Sequence, residues 1–322
     1  MDLRAAPLFD DIAPGPSDGT AWWVKASDGV RLRIAAWPVD GARGTVLLFP
    51  GRTEYVEKYG GAAQAFAERG YATLAVDWRG QGLADRLVPD TRVGHVDRFS
   101  DYLLDADAAL ALAEALDLPK PYHLLGHSMG GGIGLSAAMQ GYPVSSYAFT
   151  GPMWGISMLP VVRQIGWTLA VVGPKMGFGH KLPPSTRYEN YVASRPFADN
   201  VLTRDPEMFD MMRAQIAAHP ELAIGGPTLT WLREALKVTR EMAARPSPAQ
   251  PCLTFVGAAE RIIDVDRIHT RMAAWPNGRL EVVPDAEHEV LMEVPAIRNQ
   301  IFDQLVAHFD AAEAAPSAQR SA

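Results

Sequence analysis

A serine held between two glycines, Gly126-His127-Ser128-Met129-Gly130, follows directly on the apolar run Tyr122-His123-Leu124-Leu125. Together they read as a strand that ends on a sharp turn and passes into a helix start of small residues, the sequence form of a nucleophile elbow. Such a turn leaves the hydroxyl exposed, and Gly126 and Gly130 let strand and helix approach without a side-chain clash. The five-residue pattern recurs by chance. Its weight comes from the strand before it, the glycines after it, and a plausible base and acid further along the chain.

A serine hydroxyl is a poor nucleophile at neutral pH and needs a base to take its proton. Histidine supplies one whose ordinary pKa lies near working pH. An elbow serine is followed along the chain by the acid and then the histidine. Of the eight histidines, only His269, His288 and His308 fall in the last stretch where strands resume. The first sits in a helical pattern and the last in the terminal helix. His288 stands in Pro284-Asp285-Ala286-Glu287-His288, a loop past the last strand, where it can point across a sheet edge. The acid belongs in Gly257-Ala258-Ala259-Glu260-Arg261-Ile262-Ile263-Asp264. Glu260 is favoured by its place early in that loop, and Asp264 is the rival because aspartate is the commoner third member. Two backbone N–H groups must face the developing oxyanion. Met129, after the serine, offers one; Arg52, in Phe49-Pro50-Gly51-Arg52-Thr53-Glu54, offers the other.

The elements that must position these groups alternate in a readable order. Trp22–Ala26 and Arg31–Trp37 flank Ser27-Asp28-Gly29, a hairpin signal. Thr45–Phe49 is continuously apolar, as suits a strand buried on both faces. A helix over Val56–Arg69, a strand over Tyr71–Val76, a helix over Ser100–Leu116 with Ser100 as N-cap, and strands at Tyr122–Leu125 and Ser146–Thr150 follow. Cys252–Val256, a helix near Ile268–Ala274, Arg279–Val283 and a helix from Pro295 to Phe309 complete the pattern. The order predicts an α/β fold with a mostly parallel sheet and helices on both faces. Residues 1–151 form the first part of the core after a poorly ordered N-terminus of about 20 residues. Residues 251–312 form its second part, and 313–322 a frayed tail. Residues 152–250 are helical in tendency and would cap the carboxyl edge of the sheet, where open α/β sheets bind ligands.

The chain has 322 residues, 48% of them hydrophobic, which suffices for a large core. A net charge of −7 argues against nucleic acid as a partner. The single cysteine, Cys252, excludes an intrachain disulfide, fits a reducing compartment, and reads as a small core residue. The N-terminus lacks the pattern of a secretory signal, and Pro160, Arg163 and Gln164 interrupt the most apolar window, so no spanning helix is expected.

Several motifs in order resemble the lysophospholipase and monoacylglycerol lipase branch of the α/β-hydrolase superfamily, above all the bacterial lysophospholipases. These are Pro50-Gly51-Arg52 with Glu54-Tyr55-Val56 and Lys58-Tyr59, Asp77-Trp78-Arg79-Gly80-Gln81-Gly82, Gly94-His95-Val96 with Arg98-Phe99 and Asp101-Tyr102, and the elbow itself. Pro196-Phe197, Asn200 to Thr203, and Gly225 to Thr228 with Trp231 extend the likeness into the cap. Pro50 departs from the histidine usual in monoacylglycerol lipases, and Glu260 from the aspartate of many relatives.

The resemblance implies a cofactor-independent, metal-free serine hydrolase acting on lysophospholipids or monoacylglycerols. A short-chain carboxylesterase is the alternative, and a hydrolase-fold binding protein without turnover the rival of another class. A cytoplasmic location is expected, with peripheral membrane contact through the cap left open and the oligomeric state unset. Asp77, Arg79 and Asp101 read as an ion-paired scaffold. Met153, Trp154, Met158, Trp167, Met176, Phe178, Met208, Met211 and Met212 are candidates for core or for an acyl-chain lining.

Overall fold

The computed structural model describes residues 3–158, 160–184 and 186–314, except for the side chains of 160–165. Nine strands form one sheet in the order β1-β2-β3-β5-β4-β6-β7-β8-β9. β1 (Arg4–Ala6), β2 (Thr20–Lys25) and β3 (Arg31–Trp37) are antiparallel. β3 also pairs antiparallel with β5 (Ala72–Asp77). From there β4 (Thr45–Phe49), β6 (Tyr122–His127), β7 (Ser146–Thr150), β8 (Cys252–Gly257) and β9 (Gly278–Val283) continue in parallel. The hairpin between β2 and β3 turns on Gly29 at φ 90°, a conformation glycine adopts without strain.

The continuous apolar runs arise because both faces of the sheet are covered. In β4, Leu47 and Phe49 enter the core on one face, with helices α2 (Asp101–Ala115), α3 (Met129–Ala138) and α8 (Val265–Ala273). Val46 and Leu48 enter the other, with α1 (Gly60–Ala67) and α9 (Pro295–Ala314). Successive side chains of a strand point to opposite faces, so a strand between two helical layers has no polar side. Each leucine so buried contributes roughly 1.5–3 kcal/mol.

Four expectations need correction. The N-terminus is not loose: β1 pairs with β2, Arg33 Nη1 donates to Pro7 O at 3.0 Å, and the Phe9 ring stacks on His219 at 3.6 Å. A proline-rich stretch lacks donors for a central strand yet suits an edge. Ser100 does not cap α2, because its own backbone is already helical (φ −60°, ψ −21°) and its side chain accepts no cap bond. The helix expected over Val56–Arg69 opens as a 3₁₀ turn, Val56–Tyr59, before α1, and the chain leaves it at Gly70, φ 75°. Of the expected scaffold, Asp77 pairs with Arg33 at 2.7 Å and Arg79 with Asp105 and Asp28, both at 2.7 Å. Among the described residues, Asp101 pairs only with the exposed Arg98. Asp105, one helical turn further into α2, is the buried residue that faces Arg79.

Between β7 and β8 the described residues add no strand to the sheet. They carry α4 (Pro160–Lys175), α5 (Tyr191–Ser194), α6 (Pro206–Ala218) and α7 (Leu229–Ala243). This segment is tied to the loops at the carboxyl ends of the strands. Gly94 N donates to Gly226 O at 3.0 Å, Ser157 N to Ile262 O at 3.1 Å, and Glu289 N to Leu202 O at 2.7 Å. The tail expected from residue 313 begins as the last two residues of α9, and the rest of it lies outside the described residues. Among the described residues, no helix is long and apolar enough to cross a membrane.

Candidate active site

The chain leaves β4 for β5 on one side and, after β5, crosses back to β6 on the other. The carboxyl ends of β4 and β6 are therefore the switch point where an open α/β sheet parts its loops. Arg52 follows β4 and Ser128 follows β6.

Ser128 has φ 49° and ψ −116°, a conformation that L-residues rarely adopt. The turn is held on both sides, since Ser128 N donates to Thr150 O at 3.0 Å and Ser128 O accepts from Met153 N at 2.8 Å. Its glycines are steric requirements. A Cβ on Gly126 would stand 2.7 Å from Gly130 O, and one on Gly130 would collide with the carbonyls of Phe49 and Pro50. The start of α3 is thus pressed against the first residues after β4, the segment that leads into Arg52. Among the described residues neither the Met129 nor the Arg52 amide donates to an acceptor.

Three of the expected residues meet in line. Ser128 Oγ lies 2.9 Å from His288 Nε2, and His288 Nδ1 lies 2.6 Å from Glu260 Oε2. Burial raises the Glu260 carboxyl, but the bond from His288 and the amides of Ile262 (2.6 Å) and Ile263 (3.3 Å) outweigh it and hold the group below its ordinary value. A carboxylate can only accept, so Nδ1 carries the proton and Nε2 is left to accept from the serine hydroxyl. Asp264, the rival acid, is engaged elsewhere: it is the N-cap of α8 and accepts from Arg267 N at 3.4 Å.

Behind His288 lies a charged cluster that the sequence did not announce. Lys58 Nζ is 2.6 Å from Glu54 Oε1 and 2.6 Å from Glu289 Oε1. Tyr59 Oη donates to Glu54 Oε2 at 2.5 Å, and Gly51 N donates to the same oxygen. His127 Nε2 stands 3.2 Å from Glu289 Oε2, and its ring is 4.9 Å from that of His288. Glu54, His127 and Glu289 have the donor types and closeness of a metal site. The Lys58 ammonium, bonded to both carboxylates, occupies the cation's place. A run of three ionisable residues, Glu287-His288-Glu289, was the only local signal for this cluster.

Ser128 and His288 open onto a cavity of about 320 Å³. Val192, Leu202, Met212 and Ile216 give it an apolar wall, and Arg52, Glu54, Lys58 and Glu289 a charged one. Of the candidate acyl-lining residues, Met212 is in this wall, while Met153 and Trp154 are buried core. Trp167, Met176 and Phe178 are exposed. A larger space of about 830 Å³, touching Trp154, Met158 and Trp167, reaches Glu260 but neither Ser128 nor His288.

The family model Hydrolase_4, described as "Serine aminopeptidase, S33", matches residues 40–295. The chain belongs to this family of α/β-hydrolases. Within Hydrolase_4 it is 32% identical over 310 residues to lysophospholipase L2 of Escherichia coli (strain K12), covering 91% of this chain and 88% of that one. It is 29% identical over 271 residues to the monoacylglycerol lipase of Mycolicibacterium smegmatis, covering 82% and 88%. The fold matches a soluble variant of monoglyceride lipase from Saccharomyces cerevisiae with a TM-score of 0.70 at 21% identity, over 90% of this chain and 94% of that one. It also matches a carboxyl esterase from Bacillus coagulans, TM-score 0.73 at 16% identity, over 92% and 99%. This Hydrolase_4 member is thus a carboxylic ester hydrolase by family.

Proposed function

We propose that the protein hydrolyses the ester of single-acyl-chain lipids, with lysophospholipids as the substrate class, through Ser128, His288 and Glu260. The observation that carries this reading is the unbroken chain of bonds from Ser128 Oγ through His288 to Glu260, opening onto a cavity with one apolar and one charged wall.

His288 Nε2 takes the hydroxyl proton as Ser128 attacks the acyl carbonyl. The amides of Met129 and Arg52 hold the oxyanion, and Glu260 stabilises the imidazolium and fixes its orientation. The imidazolium then protonates the departing alcohol, and water releases the fatty acid from the acyl-serine. The helical segment 152–250 caps the site, and its apolar wall takes the acyl chain. Peripheral contact with a membrane through this cap and a cytoplasmic location are compatible with this chemistry.

Rates on lysophospholipids, monoacylglycerols, short p-nitrophenyl esters and aminoacyl p-nitroanilides test the reading. The single-chain lipids should turn over fastest. A preference for acyl groups of about four carbons or fewer, or for the anilides, would overturn it in favour of a short-chain esterase or a peptidase. A lead of the monoacylglycerols over the lysophospholipids would assign the neutral lipid instead.

A further inference from the structure

Among the described residues, the charged wall of the Ser128 cavity contains one cation with no carboxylate partner. The Arg52 side chain makes a single hydrogen bond among the described residues, from Nη1 to Gly225 O at 2.8 Å, and no carboxylate lies within ion-pair reach. Its nearest acidic neighbour, Glu54, is already committed: its oxygens accept from Lys58, Tyr59 and Gly51 N. Glu289 is shared between Lys58 and His127. The guanidinium packs on Gly94, where an added Cβ would stand 3.4 Å from Nη1, and lies 5.7 Å from the Trp231 ring. Burial pulls its pKa down to about 10, so it stays charged at neutral pH. Its remaining N–H groups are not sealed inside the protein, and the residue lines the cavity.

A guanidinium that lines a cavity with spare donors and no carboxylate partner is suited to an anionic ligand. We propose that the Arg52 side chain binds the phosphate of the leaving group and thereby makes the site select phosphate-bearing lysolipids over neutral monoacylglycerols.

The proposal rests on the reading of Ser128 as nucleophile, and the placement follows from chain geometry. In that reading the Arg52 backbone N–H serves the reacting carbonyl, and its side chain carries the guanidinium about as many bonds away as glycerol carries the phosphorus from the ester oxygen. A planar fork matches two phosphate oxygens at once, and each charge-assisted bond is stronger than a neutral one. The same residue would serve the oxyanion through its backbone and the headgroup through its side chain.

The test is a ratio: kcat/KM on palmitoyl lysophosphatidylethanolamine divided by kcat/KM on monopalmitoylglycerol. Arg52→Met should lower it by about tenfold to a hundredfold, the range expected for losing bonds to a charged group. Arg52→Lys, a point charge without the fork, should fall between. General damage to the site lowers both rates together, and an unchanged ratio in Arg52→Met overturns the proposal.

A second measurement uses the unaltered protein. Glycerol phosphate should inhibit hydrolysis of a neutral p-nitrophenyl ester at concentrations about tenfold below those needed with glycerol. Equal inhibition by the two overturns the proposal even if the variants fail to fold. Failure of the parent reading is seen separately, as turnover of both lipids that survives Ser128→Ala.

Discussion

The ammonium of Lys58 lies 2.6 Å from a carboxylate oxygen of Glu289, 231 positions along the chain. Glu289 is the residue after His288, and Lys58 stands in the 3₁₀ turn that closes the loop after β4, the loop that holds Gly51 and Arg52. This bond therefore joins the loop bearing His288 to the segment that follows Arg52. Glu54 extends the tie to Gly51 N, in the same loop, and His127 extends it to the elbow.

Removing one partner of such a cluster leaves uncompensated buried charge, which costs about 3–5 kcal/mol. Lys58→Met should lower the melting temperature by on the order of 10 °C and reduce kcat more than it raises KM. Glu289→Gln added to it should restore part of the loss, because the orphaned carboxylate is gone. Calorimetry on the two single variants and the double variant measures this. Strictly additive losses would mean that the pair is not coupled.

The choice of acid has its own test. Glu260→Gln keeps the shape but loses the charge that orients His288, and kcat should fall by about 10³–10⁴. Asp264→Asn keeps an oxygen able to cap α8, so activity should stay within about twofold of wild type and stability within a few tenths of a kcal/mol. Steady-state rates on a p-nitrophenyl ester decide it, and the reverse pattern would make Asp264 the acid.

The cluster also predicts a pH dependence of stability. Burial opposes charge on His127, but Glu289 and Glu54 outweigh it and hold the imidazole above its ordinary pKa. Glu289 is held well below its ordinary value, against burial, by His127 and Lys58. A raised histidine stabilises fully below its unfolded value of about 6.5, and that stability is lost as pH rises through the higher folded value. A depressed glutamate stabilises fully above its unfolded value of about 4.3, and that stability is lost as pH falls through the lower folded value. Wild type should therefore be most stable between these limits. His127→Gln should flatten the decline above about pH 6.5, as read from melting temperatures across pH. An unchanged decline would show that His127 is not its source.

What could be read from the sequence follows from the range of each signal. The bounds of β3 and β4 agree with the expected Arg31–Trp37 and Thr45–Phe49, because a buried strand leaves an apolar run between turn residues. Ser128, Glu260 and His288 could each be placed by a short pattern beside a strand end, and the structure brings the three together. Lys58, Glu54, Glu289 and His127 could not be grouped in that way. Glu54 and Lys58, His127, and Glu289 stand in three separate segments, and only folding shows that the four are buried and share one place. The same holds for β1, whose pairing depends on the edge that β2 offers, and for Asp105, which only helix geometry distinguishes from Asp101.

The proposed chemistry depends on Ser128 as the nucleophile. Mass spectrometry of the protein after treatment with a fluorophosphonate tests it most directly, alongside ester turnover by Ser128→Ala. One adduct on Ser128 is expected in the wild type, none in the variant, and a fall in kcat of about 10⁴-fold or more. Wild type that resists the probe, or a variant that keeps its rate within about tenfold, would contradict it.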